Sequence, residues 1–201
     1  MENILASQQR DPDTFQELEI RFGYKDDRQR FVTNLGRNNY AKIVQLLHSN
    51  KNWLDVKNVN QTDYFCTSRQ LRLTVSDDKE ECVRKVKNQT WDFPNFNGTN
   101  WTLRVSLSSE QPVSDQVFGD DADFSREKQR LRFVHKNRHG MTWNYDATVV
   151  KSVTDTADPD QDDGDLMYEF ELEVDVQDKV DTSYLAHSTE LKVLDVFNVI
   201  A

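Results

Sequence analysis

The sequence is poor in cysteine, in long apolar runs and in positive charge, and each shortage excludes a class of protein. Its two cysteines, Cys66 and Cys82, are not spaced as a metal-binding pair, and nothing in their spacing requires a disulfide. No apolar run approaches the length of a membrane span, and the N-terminus lacks the hydrophobic stretch of a signal peptide. We therefore expect a soluble intracellular protein that does not contact a membrane.

The formal net charge of −10 does not give the basic surface by which nucleic-acid-binding proteins are usually recognised. Such binding is not excluded, because a local basic channel inside an acidic shell still attracts phosphate groups. With 201 residues, 4 prolines and 10% aromatic residues, the chain fits one ordered, strand-rich domain. We place that domain at residues 15–201 and expect residues 1–14, which are polar and without pattern, to form a flexible lead-in.

Glutamate alternates with bulky apolar residues over Tyr168–Val174. In a β-strand the three glutamates would share one face, whereas a helix would scatter them around its axis. Taken alone, the stretch is compatible either with an edge strand that has a solvated acidic face or with a cation-binding strand. Glu17 and Glu19 alternate in the same way near the start of the chain. This second stretch favours the cation, because two such strands could bring hard oxygen ligands around one divalent ion.

Short alternating segments recur along the rest of the chain, separated by clusters of Asn, Asp, Gly and Ser. This spacing predicts an antiparallel meander or a closed barrel rather than strands that alternate with helices. The predicted strands are Phe15–Tyr24, Trp53–Val59, Asp63–Thr67, Gln70–Ser76, Glu81–Thr90, Trp101–Ser109, Lys128–His135, Thr142–Val153 and Asp165–Val176. We also expect a helix from about Tyr40 to Leu47 capped by Asn39, and a helix over Thr182–Ile200 capped by Asp181.

Basic side chains alternate on the polar faces of several predicted strands. They are Arg72, Arg104, Arg126, Lys128, Arg130 and Arg132. Taken singly, each basic pair is also compatible with an ordinary surface. If the strands close with these faces inward, however, the interior holds glutamates on one side and arginine and lysine on the other. Such an interior suits a metal–polyphosphate substrate, because carboxylates bind the cation and basic groups neutralise the phosphates.

The motifs resemble those of the metal-dependent RNA 5′-triphosphatases of fungi, protozoa and large DNA viruses, which are triphosphate tunnel metalloenzymes. Glu17–Gly23 is similar to the family's opening E-x-E-x-R/K-F-G motif, and Glu169–Glu173 to its closing E-x-E-x-E motif. Between them, in the family's order, lie Arg72, the run Arg104–Glu110, the run Arg126–Arg130 and Asp146-Ala147-Thr148. The resemblance covers about residues 15–174, and the compact length is most like that of the viral members.

The resemblance implies a mainly β (α+β) fold, a closed eight-stranded antiparallel β-barrel tunnel with a few outer packing helices. It implies hydrolysis of the γ-phosphate of 5′-triphosphate RNA to 5′-diphosphate RNA and phosphate, the first step of mRNA cap formation. Mg²⁺ or Mn²⁺ would be the cofactor, and the RNA 5′-triphosphate end the substrate. The sequence has no K-x-D-G motif, so guanylyl transfer would need a separate guanylyltransferase. We expect a monomeric viral protein that acts in the host nucleus or cytoplasm.

The resemblance also implies roles for individual residues. The metal ligands would be Glu17, Glu19 and Glu173. The catalytic residues would be Glu110 and Glu171, which act on the attacking water, with Glu169 in support. The phosphate-binding residues would be Arg72, Lys87, Arg104, Arg126, Lys128 and Arg130. The supporting residues would be Arg132, Asp146 and Thr148.

Two positions depart from the family's pattern. The family often has an arginine two residues before its D-x-T motif, where this chain has Asn144. Either one contact is missing or Arg132 supplies it. Lys85 and Lys87 are both candidates for a lysine of the family.

Two alternative functions remain open. One is a tunnel-fold enzyme that acts on inorganic triphosphate or on nucleoside triphosphates, which are further candidate substrates. The other is a non-enzymatic β-barrel that binds a small anion or an acidic partner and releases no phosphate. Arg21-Phe22-Gly23 after the first glutamate pair favours the RNA enzyme over the first alternative.

Overall fold

The computed structural model describes residues 15–77, 79–115, 118, 122–153, 166–176 and 181–201, so the predicted lead-in lies outside the described residues. The strands are β1 Phe15–Lys25, β2 Phe31–Val32, β3 Asp55–Cys66, β4 Leu71–Ser76, β5 Glu80–Phe93, β6 Thr102–Val113, β7 Phe124–Lys136, β8 Thr142–Val153 and β9 Met167–Val176. The helices are α1 Gly36–Ser49 and α2 Thr182–Ile200. Neither helix has both the length and the apolar character needed to cross a membrane.

Eight of the strands close into an antiparallel barrel. Their order around the wall is β1-β6-β5-β4-β3-β7-β8-β9, and β9 pairs again with β1. The predicted closed eight-stranded barrel is therefore confirmed. Two predicted strands, Trp53–Val59 and Asp63–Thr67, are wrong as separate elements because β3 runs through both. The polar residues that suggested a loop between them lie in a strand whose N-terminal half is largely exposed to solvent.

The hydrophobic core lies outside the barrel, between the wall and the two helices. On β9, Phe170, Leu172 and Val174 are at most 1% exposed, and they belong to one cluster with Ile43 of α1 and Val196 of α2. Apolar side chains that alternate with charged ones along each strand therefore point outward, toward the helices. The expectation of outer packing helices is confirmed. Because the apolar faces of the strands pack against these helices, the charged faces point into the barrel.

β2 is a short strand that the sequence did not predict, and Gly23 explains how it packs. β2 pairs with the end of β1, where Tyr24 lies opposite Val32. A Cβ atom at Gly23 would collide with the carbonyl oxygen of Val32 and would lie 2.8 Å from the ring of Phe31. Glycine at this position therefore allows the β2 backbone to approach β1.

The two predicted helix caps have different outcomes. Asp181 caps α2 as predicted, because its carboxylate accepts the backbone N–H groups of Ser183 at 3.0 Å and Tyr184 at 3.1 Å. Asn39 is wrong as the cap of α1, since the helix begins at Gly36 and Asn39 lies within its first turn. The Asn39 side chain instead donates a hydrogen bond to the carbonyl of Leu35 at 3.0 Å.

Candidate active site

The inner face of the barrel brings together charged residues from strands that are far apart in sequence. Glu19 of β1 lies opposite Glu173 of β9, and Glu171 of β9 lies opposite Asp146 of β8. Because β1 pairs with β9, the two predicted E-x-E stretches are neighbours in the wall. Glu19 is 4% exposed and Glu171 is 6% exposed, so these carboxylates are enclosed within the barrel.

Glu17, Glu19 and Glu173, here called the acidic cluster, offer carboxylate oxygens that lie within 4.8 Å of one another. Asp146, Glu171 and Glu173 form a second such group. Burial and the neighbouring carboxylates of Asp146 and Glu17 raise the pKa of Glu173 well above its ordinary value. A group of hard carboxylate oxygen atoms fits a divalent cation such as Mg²⁺ or Mn²⁺.

Two basic side chains lie directly against these carboxylates. The Lys85 Nζ atom is 2.8 Å from Glu17 Oε1, 2.8 Å from Glu110 Oε1 and 3.7 Å from Glu19 Oε2. The Arg21 Nε atom is 2.6 Å from Oε1 of both Glu19 and Glu171. Of the two candidate lysines, Lys85 is therefore the one that contacts the acidic cluster.

Arg72, Lys128 and Arg130, here called the basic row, also face the interior. Arg72 donates to both carboxylate oxygens of Glu110 at 3.3 Å. Arg130 Nη1 lies 3.1 Å from Asp146 Oδ2. Burial lowers the pKa of Lys128, an effect that the nearby Arg130 guanidinium increases and the Asp63 carboxylate opposes.

Asp63 is an interior residue that the sequence analysis missed. It is 0% exposed, and its Oδ2 atom is 2.6 Å from Lys128 Nζ. Its Oδ1 atom accepts hydrogen bonds from Gln61 Nε2 and Thr74 Oγ1, both at 2.8 Å. Asp63 therefore fixes the position of the Lys128 ammonium group. The sequence offered only a weak sign of this role, namely that Asp63 lies in a predicted strand. It is a single acidic residue and does not belong to a repeated pattern.

Several interior polar groups are buried without a hydrogen-bond partner among the described residues. They include the Nε atoms of Arg72 and Arg130, Ser108 Oγ and Thr148 Oγ1. Buried donors are normally satisfied in folded proteins, so these four groups are suited to a ligand that accepts hydrogen bonds, such as a polyphosphate. Arg21 Nε and the acceptor Asp63 Oδ2 are also without a hydrogen bond, but each lies 2.6 Å from an oppositely charged group.

Other interior side chains brace the carboxylates. Arg132 Nε donates to Asp146 Oδ1 at 2.7 Å, and Arg132 Nη2 donates to Glu173 Oε2 at 2.9 Å. Arg126 Nη2 donates to Glu169 Oε1 at 2.6 Å, and the same oxygen accepts the Thr33 hydroxyl at 2.6 Å. Arg132 thus contacts both Asp146 and Glu173, while Asn144 lies opposite Glu173 in the sheet register.

Two residues predicted to bind phosphate lie apart from the basic row. Arg104 donates to both carboxylate oxygens of Asp92, at 2.7 and 2.9 Å, and its guanidinium lies 4.1 Å from the centre of the Phe31 ring. Lys87 has no ion-pair partner within the part of the chain that the structure describes. Burial, together with the nearby Arg21 and Arg104 guanidinium groups, lowers the pKa of Lys87.

The fold is similar to that of solved RNA triphosphatases, although no protein-family model and no curated protein matches the sequence. The Mimivirus capping enzyme triphosphatase aligns with a TM-score of 0.62 and 18% identity, over 92% of this chain and 90% of that chain. The S. pombe RNA triphosphatase Pct1 aligns with a TM-score of 0.60 and 17% identity, over 83% of this chain and 72% of that chain. The chain therefore has the fold of the fungal and viral RNA triphosphatases that its motifs resemble.

Proposed function

We propose that this protein is a metal-dependent RNA 5′-triphosphatase that removes the γ-phosphate from 5′-triphosphate RNA. The observation that supports this most is that the acidic cluster and the basic row share the interior of one closed barrel. The order of the sequence motifs and the shared fold agree with it. The product would be 5′-diphosphate RNA, so guanylyl transfer would come from a separate enzyme.

The acidic cluster would hold Mg²⁺ or Mn²⁺, which when bound polarises phosphate oxygens and offsets negative charge. The basic row would neutralise negative charge on the oxygens of the triphosphate. The unpaired Nε groups of Arg72 and Arg130 and the hydroxyls of Ser108 and Thr148 supply hydrogen bonds to the same oxygens. Substrate binding therefore pairs donors that have no protein partner.

Glu171 and Glu110 orient the attacking water in this proposal. Glu171 is held by Arg21 at 2.6 Å, and Glu110 is held by Lys85 at 2.8 Å and by Arg72. Fixed carboxylates accept hydrogen bonds from a water molecule without having to reorganise during the reaction. Arg21, Lys85 and Arg132 act as positioning residues, because they hold other side chains rather than the substrate.

The proposal is tested by release of labelled γ-phosphate from 5′-triphosphate RNA in the presence of Mg²⁺ or Mn²⁺. We expect release by the unmutated protein, and its loss on chelation of the metal. Glu171→Gln should slow release at least ~100-fold, the effect of removing one group that orients the reaction. Glu127→Gln is the matched control, because Glu127 lies on the outer face of β7 and is exposed. It should not change the rate.

Two outcomes would contradict the proposal. Folded protein that releases no phosphate with either metal would favour the anion-binding barrel. Efficient release from inorganic triphosphate, with no competition by 5′-triphosphate RNA, would indicate an inorganic triphosphatase instead.

A further inference from the structure

Two phenylalanines interrupt the charged inner face at one end of the barrel. Phe65 of β3 and Phe124 of β7 are cross-strand partners, and their rings stack with centroids 4.7 Å apart and planes 13° apart. Each lies two residues along its strand from an interior charged residue, Asp63 in β3 and Arg126 in β7. Strand alternation therefore directs both rings to the inside.

Neither ring belongs to the hydrophobic core. Both side chains are half-buried, and both lie outside the two apolar clusters of the described residues. By strand alternation, the described aromatic side chains of β8 and β9, and Phe133 of β7, face outward instead. Outward rings such as Phe133 and Phe170 belong to the core cluster that includes the helices, whereas Phe65 and Phe124 do not.

The backbone on both sides of the pair is held in place. The Asp123 carboxylate accepts hydrogen bonds from the backbone N–H of Thr67, at 2.6 Å, and from its hydroxyl. The Asp123 backbone N–H donates to the carbonyl of Phe65 at 2.7 Å. These contacts connect the end of β3 to the start of β7, so the stack is fixed before any ligand arrives. A preformed surface loses little entropy on binding.

Basic residues lead from the pair into the interior. Arg72 lies opposite Phe65 in the sheet, and Arg126 follows Phe124 along β7. Lys128 is four residues from Phe124, which is about 13 Å along a strand. A nucleoside 5′-triphosphate has the same order of groups, first an aromatic base, then the ribose, then the charged phosphates. A base on the stack would therefore direct its phosphates toward the basic row.

We propose that Phe65 and Phe124 form a stacking platform for the nucleobase of the nucleotide that carries the triphosphate. The inference rests on the proposed function and deepens it, because it makes the substrate a nucleotide-linked triphosphate rather than inorganic triphosphate. Every base has an aromatic face, so such a platform accepts any 5′ nucleotide. The platform thus recognises that a base is present and does not read which base it is.

The test compares binding of ATP with binding of inorganic tripolyphosphate, measured by calorimetry with Mg²⁺. All measurements use the Glu171→Gln background, in which hydrolysis of the probes is slow. Phe65→Ala and Phe124→Ala should each lower the ratio of ATP affinity to tripolyphosphate affinity about 10-fold, because the base loses its stacking partner. Phe65→Tyr keeps the ring and should restore the ratio.

Phe93→Ala is the matched control, since Phe93 is an aromatic residue on the outer face with 46% exposure. It should leave the ratio unchanged. Equal losses of both affinities, or no loss of either, would overturn the platform, and so would an unchanged ratio in Phe124→Ala. Binding of neither probe would overturn the platform and the proposed function together. If the phenylalanine variants lower the ratio of ATP affinity to tripolyphosphate affinity, but the unmutated protein hydrolyses neither RNA nor ATP, the result would support the platform and contradict only the proposed hydrolase activity.

Discussion

The two faces of β9 occupy opposite environments along the same ten residues. Phe170, Leu172 and Val174 point outward and are almost completely buried in the core beneath the helices. Glu171 and Glu173 point inward and contact basic side chains of β1 and β7. The difference teaches that stability and chemistry depend on different side chains of one strand, so each can be altered without the other.

The energetic reason is that the two faces are stabilised in different ways. Burial of apolar side chains on the outer face is directly favourable, by roughly 25 cal/mol for each Å² removed from water. Ion pairs on the inner face recover in attraction about what they lose in desolvation, so their net contribution to stability is small. Stability is therefore concentrated outside the barrel wall, and charge is concentrated inside it.

The largest expected effect comes from Glu173→Gln on the inner face. The change removes one member of the acidic cluster, and we expect phosphate release to fall about 1,000-fold. The free energy of unfolding should change little, because repulsion of the Glu173 charge by Asp146 and Glu17 opposes its attraction by Arg130 and Arg132. Kinetic assays and urea denaturation of the same preparation measure both effects. A loss of activity that only follows a loss of folded protein would contradict the separation of the two faces.

Leu172→Ala is the adjacent change on the outer face. Leu172 is 0% exposed, and truncation of a buried leucine typically costs about 3 kcal/mol of unfolding free energy. Urea denaturation should show this loss, while the folded molecules keep their rate of phosphate release. A selective loss of activity at unchanged stability would show that the outer face also controls the chemistry.

Asp181→Ala tests the N-terminal end of α2, one of the two helices that pack on the outer face of the barrel. The Asp181 carboxylate accepts two backbone N–H groups at the start of α2, and loss of such a cap costs about 1 kcal/mol. Thermal denaturation should detect a lower melting temperature with unchanged activity. Thr182→Ala is the neighbouring control, because the capping acceptor for Ser183 and Tyr184 is the Asp181 carboxylate and not the Thr182 side chain. Equal effects of the two changes would contradict the role of the cap.

The smallest expected effect concerns the rim of the inner face. Hydrogen bonds from Arg104, and then from Lys25, lower the pKa of Asp92 from 3.8 to about 2. A lowered carboxyl pKa stabilises the fold above pH 3.8, and this stabilisation is lost as the pH falls through 2. Asp92→Asn should therefore cost at most about 1 kcal/mol at pH 7, since solvent screens the site. The difference from the unmutated protein should disappear near pH 2 in urea denaturation. A pH-independent difference would indicate packing rather than charge.

The alternation of charged and apolar residues predicted the strands and their charged faces, and it left a meander or a closed barrel open; the family resemblance implied the closed eight-stranded barrel. The resemblance implied the group Glu17, Glu19 and Glu173, and their carboxylates lie together in the structure. The periodicity itself indicated only that each E-x-E stretch has its glutamates on one face, because a two-residue period assigns repeated residues to the same side of a strand. Such a period does not depend on knowing which strands are neighbours.

Isolated residues could not be predicted in this way. Asp63 and Thr33 each stand alone in sequence, and their roles appear only when β7 and β9 are placed beside them. Choosing between Lys85 and Lys87 also required the register of β5 against β6. The sequence analysis singled out neither Phe65 nor Phe124, and Phe124 lies outside the predicted strands, because sequence does not distinguish an aromatic ring on the inner face from one in the core.

The closure of β1 against β9 has a consequence for how the chain folds. The ring is complete only when these two strands meet, and they lie at opposite ends of the barrel sequence. Contacts between distant parts of a chain form slowly, since a large loop must be closed first. Glu17 and Glu19 are synthesised long before Glu173, so a partly synthesised chain that ends before β9 does not contain the complete acidic cluster. A cation bound by all three carboxylates would bind only the closed barrel, so it would stabilise that state and oppose separation of β1 from β9.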